Sequence, residues 1–175
     1  LEHSWLLANI PMDKAILSKW LKAGYLEYGT FKQTREGTPQ GGIISPVLMN
    51  MALDGLQRHL AERFKKIKGQ PHPKVSLIRY ADDFIVTGVS KELLEQQVRP
   101  AIRDFLAVRG LQLSEQKTRI SSIHEGFDFL GFNLRKYHGK LLIKPSKDAI
   151  KRLKRKVGDF LRRNKSAKTA NLIGL

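Results

Sequence analysis

The chain predicts a mixed α+β protein in which strands pair as antiparallel hairpins and amphipathic helices back them. Two observations carry this. Short runs rich in aliphatic and β-branched residues, broken by turn residues, occur at 75–88 and at 127–143. Stretches with apolar residues at helical spacing lie before, between and after those runs.

In chain order, Trp5, Leu6 and Leu7, then Ile16, Leu17, Trp20 and Leu21, recur at intervals of one, three and four. Residues 6–28 are therefore expected to be helical, interrupted at Pro11 and closed near Gly24. Phe31 to Arg35 suits a short strand. Ser45 followed by Pro46 reads as an N-cap and first helical residue, opening a helix that runs to about Phe64. The glycines ahead of it, Gly41 and Gly42, would let backbone approach a ligand, and a helix N-terminus favours anions; a plain turn gives the same pattern. Lys65 to Pro73 form a basic connection.

Next comes Val75-Ser76-Leu77-Ile78-Arg79-Tyr80-Ala81-Asp82-Asp83-Phe84-Ile85-Val86-Thr87-Gly88, two strand-like runs around a pair of adjacent aspartates. Aspartate is an ordinary turn residue, so the pair alone predicts a hairpin. Adjacent strand residues point to opposite faces, and two neighbouring carboxylates can serve one cation only where the chain bends. A hairpin tip supplies that bend. Mg²⁺ takes hard oxygen ligands, commonly one or two carboxylates plus substrate phosphates, so this tip suits phosphoryl or nucleotidyl transfer with two metal ions.

Beyond it, Leu94, Val98, Ile102, Phe105 and Leu106 predict helix over 91–109, split or kinked at Pro100 and capped by Gly110. Leu111 and Leu113 alternate before a polar turn. Phe127–Leu134 and Lys140–Ile143 read as a hairpin turning at Tyr137-His138-Gly139. From Lys144 the composition shifts: residues 144–168 are dense in Lys and Arg, with only Asp148 and Asp159 as acids. Ser146 can cap a helix bearing Ile150, Leu153, Val157, Phe160 and Leu161 on one face.

Composition narrows the function. With 175 residues, 41% of them hydrophobic, the chain suits one domain, or one domain with an appendage. It has no apolar run of membrane-spanning length, and Leu1-Glu2-His3-Ser4-Trp5 is not a signal peptide; lacking an initiator Met, the chain is expected to be cut from something longer. No cysteine is present, which excludes disulfides and thiolate metal sites. Thirty-two Lys and Arg against sixteen Asp and Glu leave a net charge of +16 and a pI near 10.3. Such an excess favours nucleic acid through phosphate neutralisation and counterion release.

Taken together the pieces resemble the reverse transcriptases of bacterial group II introns, the intron-encoded maturase family, over nearly the whole chain. Tyr80-Ala81-Asp82-Asp83 resembles the family's catalytic hairpin. Thr38-Pro39-Gln40-Gly41-Gly42-Ile43-Ile44-Ser45-Pro46 resembles its loop and helix beside template and incoming nucleotide. Gly110 through Thr118 is similar to the segment with the active-site lysine, here Lys117. Phe127 through Phe132, with Leu130-Gly131, resembles the primer-grip hairpin, and the tail after Pro145 the first thumb, or maturase, helix.

The resemblance implies a polymerase palm, an antiparallel sheet backed by helices, over 1–144 and the start of a helical thumb over 145–175. It implies RNA-directed DNA synthesis with two Mg²⁺ held by Asp82, Asp83 and a further aspartate expected upstream of Leu1, so that this piece by itself is expected to be inactive. Lys117 would neutralise phosphate charge. Pro39, Gln40, Gly41, Gly42, Tyr80, Leu130 and Gly131 would lie against template, primer or nucleotide, and Lys144, Lys147, Lys151, Arg152, Lys154 and Arg155 would grip phosphates. The implied partners are an RNA template, a DNA primer or RNA–DNA hybrid, dNTP and intron RNA, in the bacterial cytoplasm and with no membrane. Two other readings fit the same residues: an RNA-binding maturase module without catalysis, and a reverse transcriptase of retron, diversity-generating or CRISPR-associated type.

Overall fold

The computed structural model describes residues 1–27, 30–32 and 44–165. The chain divides into two compact units, Leu1–Ile120 and Ser121 onward. Both mix helices with antiparallel strands.

The first unit opens with α1 (His3–Asn9) and α2 (Lys14–Lys22). Ile10, placed before Pro11, is extended, as the proline ring requires of its predecessor, and this ends α1. Asp13 then caps α2 by accepting a 2.9 Å hydrogen bond from the Ile16 amide. A short hairpin follows, β1 (Tyr25–Glu27) with β2 (Thr30–Lys32). The sequence pointed to a strand near Phe31 but not to its partner.

The expected helix from Ser45 to Phe64 is two helices, α3 (Ser45–Leu53) and α4 (Leu56–Arg63). Gly55, with φ +83°, makes the break, a backbone state that glycine enters without steric cost. The N-cap is Ile44, one residue earlier than expected, with Pro46 in the first turn. The hairpin that carries Asp82 and Asp83 is β3 (Ser76–Tyr80) paired with β4 (Asp83–Thr87). After it, α5 (Lys91–Leu93) runs through a π-helical stretch, Leu94–Val98, into α6 (Arg99–Ala107). Pro100 therefore neither splits nor ends the helix. Its missing N–H and its ring conflict with ordinary pairing one turn back, and the wider turn just before it, with the Arg99 amide bonded to the Leu94 carbonyl, absorbs the conflict. At the far end the Gly110 amide bonds the Ala107 carbonyl and the Leu111 amide reaches Leu106, a Schellman closure with Gly110 at φ +64°.

Two apolar clusters hold this unit. One joins Leu53, Leu56, Leu60 and Phe64 of α3–α4 to Leu77 of β3 and to Val98, Ala101, Ile102, Phe105 and Leu106, with Phe84 and Val86 of β4 against it. The other joins Leu6 and Ile10 to Leu17, Leu21 and Leu48. Helix α3 contributes to both.

The second unit contains β5 (Phe127–Phe129), β6 (Phe132–Tyr137), β7 (Lys140–Pro145) and α7 (Lys147–Arg163). Phe127–Leu134, read from sequence as one strand of a hairpin, itself folds back at Leu130-Gly131, so the sheet is three-stranded in the order β5-β6-β7. Both of its turns have two residues with left-handed φ, Leu130 (+49°) with Gly131 (+82°) and His138 (+45°) with Gly139 (+81°). That is the backbone of a primed hairpin turn, whose twist matches the flanking strands. Ser146 caps α7 as expected, accepting from the Ala149 amide at 3.1 Å. The described strands thus make three small antiparallel sheets.

Arg109 ties α1, α3 and α6 together. Its guanidinium donates to the Ala52 and Phe105 carbonyls, each at 2.7 Å, and stacks on the rings of Trp5 (4.8 Å to the centroid) and Phe105 (3.4 Å). Burial pushes its pKa below the ordinary arginine value, and it still remains charged at any working pH. Arg109→Met keeps part of the packing and removes both charged bonds, so it should lower stability by about 2–3 kcal/mol. Arg109→Lys should recover little of that, because an ammonium cannot donate in two directions and stack at once. Urea midpoints of the three proteins check this; equal midpoints would show that the contacts are incidental.

Candidate functional site

The β3–β4 hairpin has a strict register: Ser76 faces Thr87, Leu77 faces Val86, Ile78 faces Ile85, Arg79 faces Phe84 and Tyr80 faces Asp83. Alternation along the strands then sorts the side chains into two faces. Leu77, Arg79, Phe84 and Val86 share one, and its apolar members pack on the first core cluster. Ile78, Tyr80, Asp83 and Ile85 share the other, where Ile78 and Tyr80 are 58% and 65% exposed.

Only Ala81 and Asp82 lie between the paired residues Tyr80 and Asp83, so the loop has two residues. Ala81 takes φ +53°, and Asp82 does not take a left-handed φ. The bend that adjacent carboxylates need is therefore present where the sequence placed it. Asp82 sits at the tip and Asp83 opens β4. Both are exposed, and among the described residues neither side chain has an ion-pair or hydrogen-bond partner. Two unpaired hard carboxylates at a fixed bend are suitable donors for Mg²⁺. Among the described residues no third His, Cys, Asp or Glu is grouped with them, so the pair supplies only part of a coordination shell.

Arg79 holds this turn. From the inner face of β3 its Nη1 donates to the Ala81 carbonyl at 2.9 Å and to Asn50 Oδ1 on α3 at 2.8 Å. Sequence reading passed over both residues. The available signal was an arginine at a core-facing strand position, where an unexplained charge calls for a partner.

Lys117 lies in the same unit, on the segment after α6. There the Ser114 carbonyl accepts from the amides of Lys117 (3.2 Å) and Thr118 (2.8 Å), making a compact turn. Leu111 and Leu113 anchor the segment on the first core cluster, and Glu115 ties it to α6 through Arg99 at 2.7 Å and through Arg103. The Lys117 side chain is exposed and forms no ion pair with either aspartate. Pro39, Gln40, Gly41 and Gly42 lie outside the described residues.

In the second unit, Leu130 and Gly131 are the two loop positions of the β5–β6 turn. Lys144 is on β7, and Lys147, Lys151, Arg152, Lys154 and Arg155 are on α7. All six are exposed and none is ion-paired; the Arg162–Asp159 pair is the ion pair of this helix among the described residues. At 100° per residue the five helical cations occupy one arc, while Ile150, Leu153, Val157, Phe160 and Leu161 occupy the other. A cleft of about 450 Å³ opens in the first unit beside Trp5, Val47, Asn50 and Met51, and neither aspartate borders it.

Residues 3–134 match the model of the family described as reverse transcriptase (RNA-dependent DNA polymerase). The chain belongs to that family. The match covers the aspartate hairpin, the Lys117 segment and the β5–β6 turn. The chain is also similar to Protein YkfC of Escherichia coli, with 32% identity over 146 residues that cover 68% of this chain and 38% of that protein. It is similar to the group II intron-encoded protein LtrA of Lactococcus lactis subsp. cremoris, with 28% identity over 174 residues, 69% of this chain and 29% of that one. An uncharacterized 91 kDa protein in a cob intron of Schizosaccharomyces pombe is 28% identical over 168 residues, 68% of this chain and 21% of that one. The resemblance to intron-encoded reverse transcriptases is thus borne out, while the chain spans well under half the length of these relatives. No helix among the described residues is long and apolar enough to cross a membrane.

Proposed function

We propose that this chain is the palm and the first thumb helix of a group II intron type of RNA-directed DNA polymerase. The observation that carries this is the exposed, unpaired Asp82–Asp83 pair at a two-residue bend, inside the segment that matches the reverse transcriptase family.

In this reading Asp82 and Asp83 hold Mg²⁺ together with the nucleotide's phosphates and a further carboxylate. When bound, such ions would supply Lewis-acid chemistry, making a primer 3′-hydroxyl more acidic and offsetting charge on a pyrophosphate leaving group. The protein's own part is positioning. The core-anchored strands fix where the two carboxylates stand, and Tyr80, on the same face as Asp83, offers an aromatic surface beside them. Lys117, carried on a segment pinned by Leu111, Leu113 and Glu115, supplies positive charge for phosphate. Pro39 to Gly42 lie against template and nucleotide, and the Leu130-Gly131 turn against the primer. The basic arc of α7, with Lys144, grips an RNA–DNA hybrid through phosphates, a contact that positions the duplex without reading its sequence. Similarity to an intron-encoded protein favours intron RNA as a partner over the other bacterial lineages.

Two outcomes test the reading. In the full-length protein that carries this chain, Asp82→Asn should abolish Mg²⁺-dependent primer extension on an RNA template while binding of the hybrid persists. Undiminished extension would refute the catalytic assignment, and loss of binding along with extension would point to misfolding or to an RNA-binding role for the turn. For the basic arc, replacing Lys147, Lys151, Lys154 and Arg155 with Gln should reduce the slope of log affinity against log salt by about three, since each phosphate contact contributes somewhat less than one. Equal slopes would remove α7 from the interface.

A further inference from the structure

We propose that Arg79 and Asn50 act as a brace that sets the geometry of the Asp82–Asp83 turn, with Arg79 as a positioning residue for catalysis. The inference rests on the reverse transcriptase reading of that turn.

Arg79 occupies a core-facing register position on β3, on the face it shares with Leu77, Phe84 and Val86. A half-buried cation there is costly unless its donors are satisfied. Among the described residues it has no acidic partner within ion-pair distance. Two neutral oxygens take its Nη1 hydrogens instead, Asn50 Oδ1 at 2.8 Å and the Ala81 carbonyl at 2.9 Å. These acceptors belong to two elements, the tip of the hairpin and α3.

Each acceptor matters for a separate reason. The Ala81 carbonyl belongs to the planar peptide that leads into Asp82, so fixing that oxygen fixes the plane from which the first carboxylate departs. Ala81 also has φ +53°, a state that costs an alanine about 1 kcal/mol, and a turn held this way gains from an external bond. Asn50 supplies the rigid end. Its helix is anchored by Leu48 in one core cluster and Leu53 in the other, and by the Arg109 bond to the Ala52 carbonyl. The brace thus ties the carboxylate turn to an element locked at several points.

Arg79→Met and Asn50→Leu in the full-length protein remove either end of the brace, and Asn50→Asp keeps the acceptor. Without metal, hydrogen exchange of the amides at 80–84 should quicken in Arg79→Met and in Asn50→Leu, while those of α6 keep their wild-type rates. The Mg²⁺ concentration for half-maximal primer extension should rise about tenfold or more in both, as for loss of groups that orient metal ligands. At saturating Mg²⁺ the KM for dNTP should stay near the wild-type value, and Asn50→Asp should retain wild-type behaviour in both readouts. The double variant should be no worse than either single one, because one unit has been removed. Wild-type exchange at the turn in folded Arg79→Met and Asn50→Leu proteins, or additive losses in the double variant, would overturn the brace. Full extension by an Asp82→Asn control would instead overturn the catalytic reading, and with it the role assigned to Arg79, even where exchange at the turn had quickened.

Discussion

The peptide between Ala81 and Asp82 is the constraint on which the site depends. Strands β3 and β4 are pinned by Leu77, Phe84 and Val86 to the cluster formed by α3, α4 and α6, so their register cannot slip. A one-residue slip would turn that apolar set outward and carry Asp83 inward. With register fixed, the two-residue loop must reverse the chain at once, and Ala81 does so with left-handed backbone. The position of the carboxylates is therefore a consequence of core packing, transmitted through ten strand residues and held from the side by Arg79.

A similar division of labour recurs in the rest of the molecule. The Lys117 segment has no regular structure, yet Leu111 and Leu113 pin it to the core, and Glu115 pins it to α6 through Arg99 and Arg103. Exposed ion pairs contribute little stability, and here they fasten the segment to α6. On α7, by contrast, cations and apolar residues are both largely exposed, with Leu153 63% accessible. That helix is organised by its cap and its periodicity, which explains why it was fully legible from the sequence.

Legibility followed the range of the governing interaction. Local rules worked: the Asp-Asp turn, the Ser146 cap, the Gly110 closure and the three-four spacing of Leu17, Trp20 and Leu21 each need only near neighbours in the chain. The break at Gly55 lies inside the single helix expected from Ser45 to Phe64, because nothing local distinguishes an interior glycine from one that breaks a helix. Pro100 predicts a split or a kink, and periodicity cannot tell either from a π turn that absorbs the proline. The fold-back at Leu130 was visible only through family resemblance, because leucine is a poor residue for positive φ and gives no turn signal. Arg79 was missed for the opposite reason. Its role depends on Asn50, twenty-nine residues away, and no pattern in either stretch connects them.

Iron-directed cleavage tests whether the Asp82–Asp83 turn holds the catalytic metal. Fe²⁺ bound in place of Mg²⁺ in the full-length protein, with ascorbate and peroxide, cuts backbone close to the metal, and mass spectrometry locates the cuts. With metal at this turn, cleavage should concentrate at residues 79–85, be suppressed by excess Mg²⁺ and be absent in Asp82→Asn. Metal-dependent cleavage elsewhere, with the hairpin left intact, would contradict it.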